Sequence, residues 1–220
     1  MSSEPSSSPR AHTDPDAWWE LAREAWSRCR GSESYDLLDR MRVELDDLTP
    51  DERRPLLELA TAAVGGQDEG LAGLALALLE QYGEPRHAAV VHRVARSLAS
   101  DTPEQEMFLL CFLRVLAARG TDEHQDVVDA YLSRSPPATW HSSLVWALWP
   151  HRPEAFAEAE AHFMKETPPE RWARTAIVQS FGWHKDAVAP VRRALAGTEA
   201  LAHLDAALAR MGIRDLPEVD

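Results

Sequence analysis

The sequence predicts an all-α protein built as an array of helix pairs, and two observations carry that prediction. Residues of the kind that cap helices recur along the 220-residue chain with spacings of 34, 33, 32 and 31. An apolar run follows each cap and stops at a breaker 14 to 18 residues later, and a period of 20 to 50 residues is typical of repeat arrays. The caps are Asp68, Thr102, Ser135, Thr167 and Thr198, and the breakers are Gly83, Gly120, Pro150, Gly182 and Gly212.

The chemistry of the capping residues explains why helices should begin there. Ser, Thr and Asp side chains accept hydrogen bonds from the free N–H groups of a first turn, and proline fits the first helical position. Proline directly follows Thr102, Ser135 and Thr167. Alanine and leucine dominate the apolar residues, which favours helix, and no segment shows the sustained alternation of a half-buried strand.

We expect the chain to begin with a disordered tail and a capping helix that lies outside the repeat. Residues 1–13 are rich in Ser and Pro and would bury too little apolar surface to become ordered. A helix over residues 14–30 follows, with Trp18 and Trp26 on its apolar stripe. Residues 14–220 are predicted to form a single domain.

Five helix pairs are predicted to follow the capping helix. One pair cannot bury its apolar stripe alone, so stacking of successive pairs is the physical solution. The predicted pairs are residues 34–47 with 49–65, 68–82 with 86–100, 102–119 with 122–133, 135–149 with 153–165, and 167–181 with 186–196, before a last helix over 198–211.

A family resemblance appears in the fifth pair. Residues 186–195, Asp-Ala-Val-Ala-Pro-Val-Arg-Arg-Ala-Leu, look like the second helix of a HEAT repeat, and weaker similarity extends over residues 34–212. The resemblance to the ARM/HEAT superfamily implies a right-handed α-solenoid of about five short, bacterial-type HEAT-like pairs with an N-terminal capping helix and a C-terminal helix. The fourth pair departs from the family pattern through Glu154, Glu158 and Glu160.

The charge of the chain limits the partners that it could bind. The formal net charge is -13, and residues 1–90 carry more of the acidic excess than residues 91–220. A general nucleic-acid binder needs a basic surface to meet backbone phosphates, so this class is not expected. The acidity fits either a specific protein partner with a basic surface or simple solubility.

Cysteine usage predicts a protein of a reducing compartment, and hydropathy predicts that the chain does not cross a membrane. Cys29 and Cys111 are the only cysteines, and we expect both to be free thiols in the cytoplasm. The N-terminus shows no basic-then-apolar signal segment. The longest apolar runs, residues 71–79 and 107–113, fall short of the roughly 20 residues that span a bilayer. We expect a monomer that does not associate with membranes.

No cofactor or metal is predicted, and no catalytic motif is present. His162 and Glu166 are four residues apart, which is a weak metal signal on its own. Four histidines fall near predicted turns, where we expect exposed side chains, and units stacked about 10 Å apart would hold them too far apart to share one metal. They are His87, His124, His151 and His184.

Tryptophans concentrate in the C-terminal half of the chain. They allow two interpretations: packing in the core, or a surface on which a base or a peptide side chain stacks. The residues concerned are Trp140, Trp146, Trp149, Trp172 and Trp183.

The function predicted from these features is a non-catalytic protein–protein interaction module. Solenoids present a long concave surface lined by the second helices of their pairs, and here the charge of that surface would change sign along its length, which suits one specific partner. An immunity-type bacterial inhibitor and an adaptor are both open, and an enzyme is the minority interpretation. The predicted partner-binding residues, expected to be exposed there, are His92, Arg93, Arg96, Asp126, Asp129, Glu154, Glu158, Glu160, Trp183, Arg192 and Arg193.

The alternative is an enzyme that acts on nucleic acid, similar to the HEAT-like DNA alkyl-base glycosylases. Those enzymes use tryptophan, arginine and a catalytic aspartate on a concave basic surface. Arg171, Arg174, Arg192, Arg193 and Trp183 resemble part of that set. The acidity of the chain and the lack of a clear aspartate among these residues count against this alternative.

Overall fold

The computed structural model describes residues 14–29, 33–66, 68–98, 100–134, 138–149, 151–172, 181 and 184–213. Every regular element within these ranges is helical, which confirms the all-α prediction. The helices are α1 (Pro15–Arg28), α2 (Glu33–Asp46), α3 (Pro50–Val64), α4 (Glu69–Tyr82), α5 (Pro85–Ala95), α6 (Pro103–Arg119), α7 (Asp126–Leu132), α8 (Ala138–Leu148), α9 (Pro153–Glu166), α10 (Pro169–Trp172), α11 (Val188–Ala194) and α12 (Glu199–Arg210), with 3₁₀ turns at Asp122–His124 and Lys185–Ala187.

Side-chain caps explain why several helices begin where the sequence predicts. The Asp68 carboxylate accepts a hydrogen bond from the backbone N–H of Leu71 at 3.0 Å. The backbone N–H of Thr49 donates to the Glu52 carboxylate at 2.9 Å, and the Glu52 N–H donates back to the Thr49 hydroxyl at 3.4 Å. This reciprocal capping box satisfies two of the otherwise unpaired N–H groups at the start of α3.

The predicted caps differ in outcome. Thr102 accepts from the backbone N–H three residues later, at 3.3 Å, which confirms its role. Thr198 precedes α12, but its hydroxyl donates to the carbonyl of Leu195 at 2.6 Å and does not cap the helix through its side chain. Thr167 stands at the end of α9 rather than at the start of a helix, and Ser135 lies outside the described residues.

Two predicted breakers end helices for steric and conformational reasons. At Gly83, directly after α4, an added Cβ would lie 2.3 Å from the carbonyl oxygen of Leu79, so a larger residue does not fit without a shift. Gly212, shortly after α12, has φ +81°, a left-handed conformation that glycine adopts without a steric penalty.

The chain divides into two compact units. The first unit comprises residues 1–115 and 119–121, and the second comprises residues 116–118 and 122–220. The single domain expected over residues 14–220 stays a prediction.

The core of the first unit forms around α4. This helix packs extensively on α3, and α1 packs on both of them, while α5 also packs on α3. Leu74, Ala75 and Leu79 of α4 have no exposed surface. Such complete burial explains why α4 is apolar on most of its sides rather than along one stripe.

The core of the second unit forms around α9, which packs on α8 and α11. Phe156 of α9, Leu144 of α8 and Val191 of α11 are fully buried at these contacts. In the part of the chain that the structure describes, no helix combines the length and apolar character needed to cross a bilayer.

Candidate functional site

An aromatic cleft of about 300 Å³ opens on the surface of the first unit. Side chains from four helices line it: Trp26 of α1, Tyr35 and Leu38 of α2, Leu76 of α4 and Cys111 of α6. Pockets that are mostly apolar with a few polar groups at the edge are the usual binding sites of proteins. We call this feature the aromatic cleft.

Large apolar side chains stand exposed in and beside the aromatic cleft. Tyr35, which lines the cleft, is 71% exposed, and Met107, one helical turn before Cys111 on α6, is 57% exposed. A large exposed aromatic side chain beside an apolar cleft is a feature of surfaces that bind other proteins. Sequence reasoning missed the cleft, because its walls come from four separate helices.

The charged side chains around the aromatic cleft are held by partners. Arg114 Nη2 lies 2.7 Å from Glu80 Oε1, and Arg42 pairs with Asp39 at 3.4 Å. The Tyr82 hydroxyl donates to the Asp46 carboxylate at 2.8 Å, and burial together with this carboxylate raises the pKa of Tyr82 to about 12. Tyr82 therefore remains a neutral donor, and the rim keeps a defined arrangement.

The thiol in the cleft is not suited to nucleophilic chemistry. Cys111 is a free cysteine, and its sulfur lies 3.5 Å from the carbonyl oxygen of Met107. Desolvation raises the pKa of the Cys111 thiol. A thiol is nucleophilic as the thiolate, so this environment favours the unreactive form.

Most of the predicted partner-binding residues are exposed as expected. Their exposure is confirmed for seven side chains on or next to the second helices of the predicted pairs, and His92 is half-buried. Trp183 lies outside the described residues. The seven are Arg93, Arg96, Asp126, Asp129, Glu154, Glu158 and Arg193.

Two members of that predicted set are buried, so the expectation of exposure is wrong for them. Glu160 is 0% exposed, because it lies on the face of α9 that buries Phe156 and Phe163. Arg192 is also buried, and its guanidinium donates to both carboxylate oxygens of Asp205, at 2.8 and 3.0 Å. Helical spacing from Phe156 was the signal that could have placed Glu160 inside.

The turn histidines divide into two groups. His151 and His184 are exposed as predicted, but His87 and His124 are buried. His87 Nδ1 accepts a hydrogen bond from the backbone N–H of Glu84 at 2.9 Å, at the start of α5. The ring therefore turns inward to the helix terminus instead of outward to solvent.

Among the described residues, three of the five tryptophans in the C-terminal half make packing contacts, and Trp140 is half-buried. Trp172 is fully buried. The ring of Trp146 lies 4.8 Å from Phe156 and 5.7 Å from Phe181, between ring centroids, and Trp149 lies 5.1 Å from Phe156. Core packing accounts for these contacts.

A buried titratable pair lies inside the second unit, and sequence reasoning missed it. His141 of α8 is stacked on Phe163 at 4.2 Å between ring centroids. Its Nε2 lies 3.8 Å from Glu160 Oε2, which is too long for a hydrogen bond. Among the described residues, neither carboxylate oxygen of Glu160 nor Nε2 of His141 has a hydrogen-bond partner.

Burial holds both members of this pair uncharged near neutral pH. Desolvation raises the pKa of Glu160 to about 8. Desolvation, with a smaller contribution from His162, lowers the pKa of His141 to about 4. The pair therefore sits in the core as two neutral groups, because charging either one costs solvation that the core does not replace.

No family model, no curated protein and no solved structure matches this chain. The HEAT-like resemblance of residues 186–195 therefore stays a prediction. Within the described residues, no group of three or more His, Cys, Asp or Glu side chains is placed to hold a metal ion.

Proposed function

We propose that this chain is a non-catalytic protein-binding module whose partner docks on the aromatic cleft of the first unit. The observation that carries the proposal is the 71% exposure of Tyr35 in the wall of a mostly apolar cleft whose charged side chains are paired with one another. Exposed aromatic side chains next to an apolar pocket are typical of the residues that supply most binding energy at protein interfaces.

The composition around the cleft suggests the chemistry of the partner. Residues 14–47, which include α1 and α2, contain ten Asp or Glu against five Arg. A partner segment with an apolar anchor side chain and basic neighbours would fill the cleft and meet this acidic excess. Such charge complementarity would raise the association rate and select the partner more than it would raise affinity.

We propose further that the helix pairs form a HEAT-like solenoid. The support is that second helices of successive predicted pairs contact one another in both units: α3 contacts α5, and α9 contacts α11. In stacked pairs, second helices pack on one another in this way. The binding module could act either as an immunity-type inhibitor or as an adaptor, and both stay proposals. A cytoplasmic location is also proposed, because Cys29 and Cys111 form no disulfide bond.

The second helices offer a competing location for the partner. Glu154 and Glu158 are exposed on α9, and Arg93 is exposed on α5. Charge reversal of Glu154 and Glu158 should weaken the complex if this surface is used, and should leave it unchanged if the cleft is used.

Partner capture with matched variants tests the cleft. The tagged protein is used to recover partners from the lysate of its native host, with nuclease-treated samples in parallel. We expect one stoichiometric protein that survives nuclease treatment, is lost with Tyr35→Ser and is retained with Val43→Ser. Val43 is a suitable control because it is 69% exposed on the same helix and does not line the cleft.

Three results would contradict the proposal. They are recovery only through nucleic acid, equal loss with both variants, and full retention with Tyr35→Ser. A second variant, Gly73→Leu, fills the cleft instead of emptying it, because Gly73 lines the cleft and faces Trp26. It should also abolish capture.

A further inference from the structure

A second pocket lies beside the aromatic cleft in the first unit and has a different chemistry. It measures about 290 Å³ and shares Gln81 and Tyr82 with the cleft. Its other walls include Pro50 and Arg53 in the first turn of α3 and Arg119 at the end of α6. We call it the arginine pocket.

Arg53 is held in the arginine pocket by an aromatic ring rather than by an acid. Its guanidinium carbon lies 5.0 Å from the centroid of the Tyr82 ring, an arrangement that stabilises a cation without neutralising it. No carboxylate among the described residues lies within ion-pair distance of Arg53. The neighbouring Arg54, by contrast, forms an ion pair with Asp51.

Arg119 also reaches the pocket without an acidic partner at ion-pair distance among the described residues. Its Nε donates to the carbonyl oxygen of Glu80 at 2.7 Å, and its Nη2 donates to the carbonyl oxygen of Gln81. Both acceptors are neutral groups at the C-terminal end of α4. Desolvation lowers the pKa of Arg119, partly opposed by the charge of Glu80, so its charge is poorly solvated.

The remaining charges of the arginine pocket leave it positive. Glu84 is the acidic side chain in its wall, and it already pairs with Arg86 at 3.1 Å. Asp51 and Glu52 in the first turn of α3 lie outside the wall of the pocket, and they are engaged by Arg54 and by the start of α3 respectively. In a chain of net charge -13, a pocket of this sign is a local exception.

We propose that the arginine pocket binds an oxyanion, a carboxylate or phosphoryl group, on the same peptide segment that docks in the aromatic cleft. Guanidinium groups present paired N–H donors that match the two oxygens of such groups. Binding of an oxyanion in the arginine pocket does not depend on the proposed function. Only the assignment of that oxyanion to the docked peptide segment, which we call the peptide carrier, rests on the proposed function. The partner segment would then carry, besides the apolar anchor and the basic neighbours that face α1 and α2, an acidic or phosphorylated residue on the Tyr82 side.

Titration with inorganic phosphate tests the anion site directly. The ¹⁵N-labelled full chain is titrated at constant ionic strength, and the Nε–H signals of the arginines are followed by NMR, with acetate as the carboxylate probe. We expect saturable shifts of the Arg53 and Arg119 signals at millimolar phosphate. Arg53→Glu should weaken phosphate binding by tenfold or more, and the matched control Arg54→Glu should change it by less than twofold.

Two results would overturn the anion site: shifts that do not saturate, and equal weakening by Arg53→Glu and Arg54→Glu, which would indicate general charge effects only. Arg119→Lys is the second variant, since it keeps the charge while losing the N–H groups of the guanidinium that Glu80 and Gln81 do not occupy, and it should weaken phosphate binding several-fold. The ratio of phosphate to acetate affinity identifies the preferred oxyanion.

Partner capture tests whether the oxyanion belongs to the docked peptide, separately from whether the arginine pocket binds an oxyanion at all. If Tyr35→Ser and Arg53→Glu both abolish capture, the oxyanion belongs to the docked segment. If phosphate saturates the pocket but Arg53→Glu captures the partner as well as the unchanged chain does, the peptide carrier is wrong while the cleft proposal stands. Nuclease-sensitive recovery that depends on Arg53 would assign the oxyanion to a nucleic-acid phosphate and would also contradict the peptide carrier.

Discussion

The aromatic cleft of the first unit and the interior of the second unit treat polar groups in opposite ways. Around the cleft, Glu80 and Asp39 stand at the surface and are matched by arginines, while the apolar Tyr35 is exposed. In the second unit, both carboxylate oxygens of Glu160 and Nε2 of His141 are buried without hydrogen-bond partners among the described residues. The first arrangement suits binding, and the second makes stability depend on pH.

Burial, rather than residue type, therefore decides what a charged side chain does in this protein. A carboxylate paired at a surface contributes little to stability, commonly about 0–1 kcal/mol. A carboxyl without partners in a core must stay protonated, because its charged form loses several kcal/mol of solvation. Five predictions test the contrast.

The largest effect is expected from Glu160→Gln. Folding raises the pKa of Glu160 from 4.5 to about 8, so the stability that its proton supplies is complete below pH 4.5 and is lost as the pH rises through 8. Relative to Glu160→Gln, the unchanged protein should lose on the order of 4 kcal/mol of unfolding free energy over this range. Urea unfolding at pH 5, 7 and 9 measures it.

The control for this prediction is Glu158→Gln, an exposed carboxylate on the same helix. It should follow the unchanged protein at every pH. A parallel decline of the Glu160→Gln variant between pH 5 and 9 would show that another group causes the loss.

The next largest effect is expected from His141→Leu on the acid side. Folding lowers the pKa of His141 from 6.5 to about 4, so its contribution is present above pH 6.5 and is lost as the pH falls through 4. His141→Leu should remove an acid-side loss of roughly 3 kcal/mol, measured by urea unfolding at pH 3.5 and 7. The control variant His151→Gln, at an exposed histidine, should keep the acid-side loss of the unchanged protein.

The two titrations together predict a flat region. Between pH 4.5 and 6.5 the Glu160 contribution falls while the His141 contribution rises, so their slopes should cancel. A steep slope in this window in the unchanged protein would mean that the pair does not titrate as described.

A smaller effect is expected from two glycines of the first unit. Gly83→Ala should lower the unfolding free energy by about 1–3 kcal/mol, because its Cβ would lie 2.3 Å from the Leu79 carbonyl oxygen. Gly73→Ala, whose Cβ would lie 3.8 Å from Trp26, should raise it by about 0.5–1 kcal/mol. Urea unfolding compares them, and changes of the same sign would refute the close approach at Gly83.

The smallest effect is expected in a comparison of two ion pairs. The Arg114–Glu80 pair of the cleft has side chains 41% and 26% exposed, against 11% and 34% for Arg192–Asp205 in the second unit. Double-mutant cycles should give a coupling of roughly 0.5 kcal/mol for the first pair and roughly 1.5 kcal/mol for the second. The reverse order would break the link between burial and coupling.

The helices themselves were largely determined by the sequence, because their causes are local. Asp68 and the Thr49–Glu52 box satisfy N–H groups three residues away, and Gly83 ends α4 through a contact within four residues. Such causes can be recognised without knowing what packs on the helix. Thr198 shows the limit, because its hydroxyl selects a carbonyl instead of capping.

Tertiary structure alone decided which side chains are buried and which ones meet. The sequence placed Glu160, Arg192 and His87 at exposed positions, and packing against neighbouring helices placed all three inside. The aromatic cleft and the arginine pocket have walls from helices far apart in the chain. Local rules act over about one helical turn, whereas burial and pocket formation depend on partners that no single segment of the sequence contains.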